Sequence, residues 1–167
     1  SASHNPYEFN GIKFFNRDGF KLPDRLEDEI EALLEQPERM ACCQGANVGM
    51  VHDMTTARKD YIEFLRSTVD PSMDLTGLKV VLDCANGAAS VIAPELYDQL
   101  GANVMSIFDH PNGLNINDHC GSTHMDTLVR IVSALGADIG LAFDGDADRL
   151  LAVDQTGRMI DGDQLMM

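Results

Sequence analysis

From residue 78 the chain alternates short apolar runs with helical repeats, and that alternation limits the fold more than any other feature. Leu78-Lys79-Val80-Val81-Leu82 reads as a strand. Residues 88–100 set Ala89, Ile92, Ala93, Leu96 and Leu100 on one helical face, and Gly101 stops the helix. Residues 103–108 form the next strand, and residues 109–122 a long polar loop. Residues 123–135 form a second helix, with Leu128, Ile131, Val132 and Leu135 inward and Gly136 as its stop. Residues 138–143 make the third strand. Strands that alternate with helices in this way build a parallel sheet covered by helices. The loops around Asn86-Gly87, Asn115 and Asp144 then share the carboxyl edge of that sheet, where open α/β sheets bind ligands. Residues 150–154 and 158–160, joined through Thr156-Gly157, read as an antiparallel hairpin.

The third strand delivers Asp144-Gly145-Asp146-Ala147-Asp148-Arg149. Three carboxylates this close repel one another, and crowding them without a counter-charge is costly. A hard divalent cation with oxygen ligands resolves the conflict, and magnesium suits it best. An EF-hand is excluded, because its sixth position needs Gly and its twelfth Glu, whereas Arg149 and Gln155 stand there. Asp144 with Asp146 two residues on also matches phosphatases whose nucleophile is a strand-end Asp. A solvated acidic turn is the bland alternative.

The first part of the chain carries fewer signals. Ser1-Ala2-Ser3-His4-Asn5-Pro6 is a polar loop, and Asn10-Gly11 and Asp18-Gly19 are turns around a short strand, Ile12-Lys13-Phe14-Phe15. Residues 24–36 form a helix with an Asp24/Glu27 capping box and an inward face of Leu26, Ile30, Leu33 and Leu34. Residues 37–54 show no period. A second helix over residues 56–67 turns Ala57, Tyr61, Phe64 and Leu65 inward. Asp70-Pro71 ends this part. The domain division is therefore residues 1–69, a linker at 70–77, and residues 78–167.

Several classes are excluded. A net charge of −15 speaks against nucleic acid and anionic membrane as partners. No apolar run is long enough to span a bilayer. Cys42, Cys43, Cys84 and Cys120 lack C-x-x-C spacing, and His110, His119 and His124 match no zinc pattern. Reduced thiols and a cytoplasmic location follow as expectations. The chain opens on Ser1 inside a motif and closes on Leu165-Met166-Met167, so it reads as part of a longer protein.

Ser1-Ala2-Ser3-His4-Asn5-Pro6, Asn10-Gly11-Ile12-Lys13 and Asp144-Gly145-Asp146-Ala147-Asp148-Arg149, in this order and separation, resemble the α-D-phosphohexomutase superfamily. Leu114-Asn115-Ile116-Asn117 and Cys120-Gly121-Ser122-Thr123-His124, with Ser at position 1, are most similar to bacterial members acting on glucosamine phosphates. The resemblance implies a four-domain mutase, here the C-terminal part of domain I and domain II, without domains III and IV. Mixed, largely parallel sheets flanked by helices are implied for both. Ser3 is implied as the phosphoryl carrier. Asp144, Asp146 and Asp148 are implied as magnesium ligands, with a phosphoserine oxygen of Ser3 completing the shell. Lys13 is implied to assist proton transfer, and His4, Asn5 and Arg149 to line the phosphoserine.

The implied reaction converts glucosamine 6-phosphate to glucosamine 1-phosphate through glucosamine 1,6-bisphosphate. The substrate is thus a phosphorylated hexosamine. Sugar recognition is implied for domain III and substrate-phosphate binding for domain IV, so residues 1–167 alone are expected to be weak or inactive. An aspartyl-phosphate phosphatase using Asp144 and a non-catalytic cation-binding module remain the alternatives.

Overall fold

The computed structural model describes residues 1–40 and 42–167 and divides into two compact units, Ile12–Thr55 and Ser1–Gly11 with Thr56–Met167. Among its described residues the Ile12–Thr55 unit contains one α-helix, α1 (Asp24–Leu34), and short 3-10 turns at Pro37–Arg39 and Gly45–Asn47. The expected strand at residues 12–15 is not formed. Among the described residues, one isolated bridge, Phe15 to Lys21, is all that this segment contributes. An extended tetrad needs a neighbour to take up its N–H and C=O groups, and a single bridge takes up few of them. The expected capping box is also absent. Pro23 is the N-cap and Asp24 already lies inside the helix, so Asp24 and Glu27 meet the positive end of the helix dipole instead. Leu26 and Ile30 are half-buried, whereas Leu33 and Leu34 are exposed, so the inward face is shorter than its periodicity suggests.

In the other unit, α2 (Ala57–Ser67) packs on α3 (Ala89–Gln99), and Arg58 pairs with Glu95. Ile62, not Tyr61 or Phe64, is the buried anchor of α2. Tyr61 and Phe64 stand outside it and stack on each other with ring centroids 6.3 Å apart. The helical period fits either face, and contact with α3 chooses between them. Pro94 lies inside α3 and removes one N–H from its hydrogen-bond ladder.

The sheet of this unit has β1 (Lys79–Asp83), β2 (Asn103–Ile107), β3 (Ile139–Phe143), β4 (Leu150–Asp154) and β5 (Met159–Ile160). Their spatial order is β2-β1-β3-β4-β5. The β1–β2 and β1–β3 pairings are parallel, and the β3–β4 and β4–β5 pairings antiparallel. The expected parallel sheet and the hairpin are both present. A short helix, α5 (Gly162–Leu165), follows under a capping box of Asp161 and Gln164.

Alternate strand residues enter opposite cores, as a two-residue period requires. Val80, Leu82, Leu141 and Ala152 pack with Ala89 and Ala93 of α3. Val81, Ala142 and Val153 pack with Leu128 and Val132 of α4 (Asp126–Leu135). Leu135, expected inward, is exposed at the end of α4, where the left-handed Gly136 turns the chain away. Gly140 admits α4 close to β3, since a Cβ there would lie 2.6 Å from Val132 Cγ2. Leu128 is fully buried in this face. Leu128→Ala is expected to destabilise the unit by about 2–5 kcal/mol. Urea unfolding checks it, and a loss below about 1 kcal/mol would contradict a tightly packed α4.

The chain leaves β1 toward β2 on one side and returns to β3 on the other. The loops after β1 and β3 therefore diverge at a topological switch point, which leaves a crevice at the carboxyl edge.

Candidate active site and metal centre

The acidic loop follows β3 directly. Asp144, Asp146 and Asp148 each offer a carboxylate oxygen within 4.8 Å of the others, a set capable of holding a metal ion. Asp144 is fully buried. Its Oδ1 accepts a hydrogen bond from the Arg149 backbone N–H at 3.1 Å. Its Oδ2 accepts none among the described residues, and the Arg149 guanidinium Nε lies 3.9 Å away. Arg149 Nε is also 3.9 Å from Asp148 Oδ1. Burial pushes the Asp144 carboxyl above its ordinary range, and the neighbouring charges of Asp148 and Asp146 push it further. A buried carboxylate oxygen without a donor, among like charges, is the environment that a cation relieves. The donor set is all oxygen, which fits a hard ion.

The Ser1–Asn5 loop sits against this cluster. Ser1 Oγ donates to Asp146 Oδ2 at 2.9 Å, and Ser3 N–H donates to Ser1 Oγ at 3.3 Å. Ser3 is half-buried, with φ of 51°, a left-handed conformation that costs a non-glycine residue energy. Its Oγ lies 3.4 Å from His4 Nδ1. A Cβ added at Gly145 would lie 2.4 Å from the Ser3 carbonyl oxygen, so the serine loop and the acidic loop touch backbone to backbone. His4, Asn5 and Arg149 are exposed around them. Lys13 is an exposed residue of the Ile12–Thr55 unit, where it borders a groove with Phe14, Glu27 and Ile30.

One residue that holds this arrangement, Asp83, was not singled out from the sequence. Asp83 ends β1, fully buried, and its two oxygens accept from the Ala85 and Gly121 backbone N–H groups at 3.0 and 2.9 Å. Burial raises its pKa, against the pull of those two amides. Gly87 lets the β1 loop reach the acidic loop: Ala88 N–H donates to Gly145 O at 2.9 Å, and a Cβ on Gly87 would lie 2.3 Å from that oxygen. The backbone amides of Asn86 and Gly87, just ahead of α3, are committed to Phe108 O and Cys84 O.

The polar loop after β2, read as a source of ligand contacts, turns Asn117 toward the serine loop. Asn117 Nδ2 donates to Ser3 O at 2.7 Å and to Asn5 O at 2.8 Å. All four cysteines are free, and burial pushes the Cys84 and Cys120 thiols up to about 12, so neither is a ready nucleophile. Beside the serine loop a cavity of about 380 Å³ is lined by Ser1, Tyr7, Asn10, Asn86, Gly87 and their neighbours.

Comparison with known proteins identifies the family and the fold. Residues 59–157 match the model of the phosphoglucomutase/phosphomannomutase alpha/beta/alpha domain II, and residues 1–40 match that of domain I. The chain is 56% identical over 168 residues to a phosphoglucosamine mutase of Desulforudis audaxviator, and 53% identical over 166 residues to one of Thermoanaerobacter. It is covered almost completely in both, yet spans 37% of each relative's length. It also superposes on a phosphoglucomutase/phosphomannomutase family protein of Burkholderia thailandensis with a TM-score of 0.71 and 27% identity. That match covers 96% of this chain and 33% of the other. With more than half of its residues inside one family model and relatives of the same kind along its whole length, the chain belongs to the phosphoglucomutase/phosphomannomutase family.

Proposed function

We propose that this chain forms part of a phosphoglucosamine mutase, which interconverts glucosamine 6-phosphate and glucosamine 1-phosphate. The observation that carries this reading is the seating of the serine loop on the acidic loop, with Ser3 O packed against Gly145 between two of the three carboxylates. Asp144, Asp146 and Asp148, with a phosphoserine oxygen, would hold one magnesium ion. When bound, the ion would neutralise charge on the phosphoryl group.

Ser3 Oγ carries the phosphoryl group in this reading. The bond between Ser3 Oγ and phosphorus breaks as a bond forms from phosphorus to the sugar hydroxyl oxygen, whose proton passes to the departing Ser3 Oγ, giving glucosamine 1,6-bisphosphate. The second transfer reverses these roles at the other phosphate and restores phosphorylated Ser3. Lys13 eases loss of the sugar hydroxyl proton by its positive charge. His4, Asn5 and Arg149 supply donors and charge around the phosphoserine, consistent with phosphoryl transfer as mostly positioning and neutralisation. The Ser1 hydroxyl bridges the Ser3 backbone to Asp146 and links the two loops.

Domains III and IV of the whole protein supply the sugar and substrate-phosphate contacts. Among the described residues no helix is long and apolar enough to cross a membrane, and four free thiols suit the reducing cytoplasm.

The test locates the phosphate. The protein at its relatives' full length is incubated with magnesium and glucosamine 1,6-bisphosphate, then examined by intact mass and peptide mapping. Acid-stable phosphate on Ser3 is expected. Hydroxylamine-labile phosphate on Asp144 would replace the mutase with an aspartyl-phosphate phosphatase. Phosphate on neither residue would overturn Ser3 as the carrier and leave a non-catalytic cation-binding module.

A further inference from the structure

We infer that Asn117 is a positioning residue that holds Ser3 in register with the acidic loop. The inference rests on Ser3 being the phosphoryl carrier. Asn117 is buried at 7% exposure, between the β2 exit and α4. Its own backbone is pinned, because its N–H donates to Ala85 O at 2.9 Å in the loop after β1. Its φ of 57° is left-handed, which asparagine tolerates better than most residues. The carboxamide is thus presented from a fixed point of the sheet edge.

Its amide nitrogen has two hydrogens and gives both to the serine loop, one to Ser3 O and one to Asn5 O. These carbonyls flank His4 and bracket the turn that Asn5 N–H closes on Ala2 O at 3.0 Å. Ser3 O is held from two sides, by Asn117 Nδ2 at 2.7 Å and by the bare Cα of Gly145. The left-handed Ser3 backbone is a conformation that relaxes unless its surroundings over-determine it. Asn117 supplies that constraint. Without it the Ser3 side chain loses its fixed relation to Asp144 and Asp146, although all three carboxylates stay in place. Neither an aspartate nor a leucine at 117 can replace the two donors.

The experiment compares full-length wild type with Asn117→Asp and Asn117→Ala. The aspartate has nearly the same shape but offers only acceptors to two carbonyls. Three quantities are read: the rate of Ser3 phosphorylation by glucosamine 1,6-bisphosphate, the magnesium Kd by calorimetry, and hydrogen exchange at the Asn5 amide. Both variants are expected to slow phosphorylation on the order of 10²-fold. Asn5 exchange is expected to speed up while the magnesium Kd moves less than about threefold, the split that separates positioning from loss of the metal centre. An unchanged phosphorylation rate in a folded variant would overturn the inference. If Asn117→Asp fails to fold, Asn117→Ala is decisive on the same readouts. If wild type takes no phosphate on Ser3, the carrier reading fails, and exchange at Asn5 still judges the clamp: equal protection in wild type and variant refutes it.

Discussion

Asp144→Asn is expected to weaken magnesium binding sharply while leaving the fold intact. Asn keeps an oxygen for the Arg149 N–H, the bond that Asp144 Oδ1 accepts at 3.1 Å. It removes one of three negative charges whose oxygens lie within 4.8 Å. Without metal, the variant should therefore be at least as stable as the wild type. Magnesium affinity should fall by at least about 10²-fold, since an anionic ligand is lost from the centre of the cluster. Ser3 phosphorylation should fall on the order of 10³-fold, because neutralising the phosphoryl charge is worth several kcal/mol.

The same carboxylate sets a pH dependence in chelator. Its folded pKa is raised above the ordinary carboxylate value of 3.8, chiefly by burial and then by Asp148 and Asp146, against the pull of Arg149. The folded protein then holds the proton more tightly than the unfolded chain does. This contribution to stability is fully present below 3.8 and is lost as pH rises through the raised folded value. Asp144→Asn should lack that slope. Calorimetric titration with magnesium and thermal unfolding against pH check both halves. Wild-type affinity in the variant would remove Asp144 from the metal centre.

Gly145→Ala should separate the two loops while sparing the metal. The new Cβ would lie 2.4 Å from Ser3 O, 2.7 Å from Asn117 Nδ2 and 2.8 Å from Ile116 Cδ1. The first of these is backbone, so the serine loop itself must move. Overpacking of this kind costs about 1–3 kcal/mol. Displacing Ser3 by a fraction of its distance to the reacting centre costs on the order of 10²-fold in rate. The three carboxylates remain, so magnesium affinity should stay near wild type, opposite to the outcome for Asp144→Asn. Gly49→Ala is the control. Its Cβ meets nothing within 4 Å, and a change within about 0.5 kcal/mol is expected. Rapid-quench phosphorylation of Ser3 beside magnesium titration distinguishes the cases. Full-speed phosphorylation in Gly145→Ala would show that contact between the loops is not needed.

Local chemistry was readable wherever one segment carried its own signal. Residues 80–82 and 140–142 carry the buried centres of two strands, and Gly101 and Gly136 end helices by their own backbone freedom. Asp144, Asp146 and Asp148 lie so close in sequence that a single loop must crowd them. Where a signal depended on a partner, the sequence was less reliable. The tetrad at residues 12–15 gained one bridge and no strand, and α2 buried Ile62 in place of Tyr61 and Phe64. Periodicity says which residues share a face, but not which face meets a neighbour.

Composition and spacing alone determined the alternating α/β order and the acidic loop at a strand end, while the serine loop stood out only through the family resemblance. Tertiary structure alone decided that Asn117 faces Ser3 across 114 positions, that Gly87 and Gly145 are glycines for close approach, and that Asp83 ties two loops together. The physical reason is range. Strand and helix patterns arise from neighbours a few residues apart, whereas a buried donor and the carbonyl it satisfies meet only after the sheet edge has brought distant loops together.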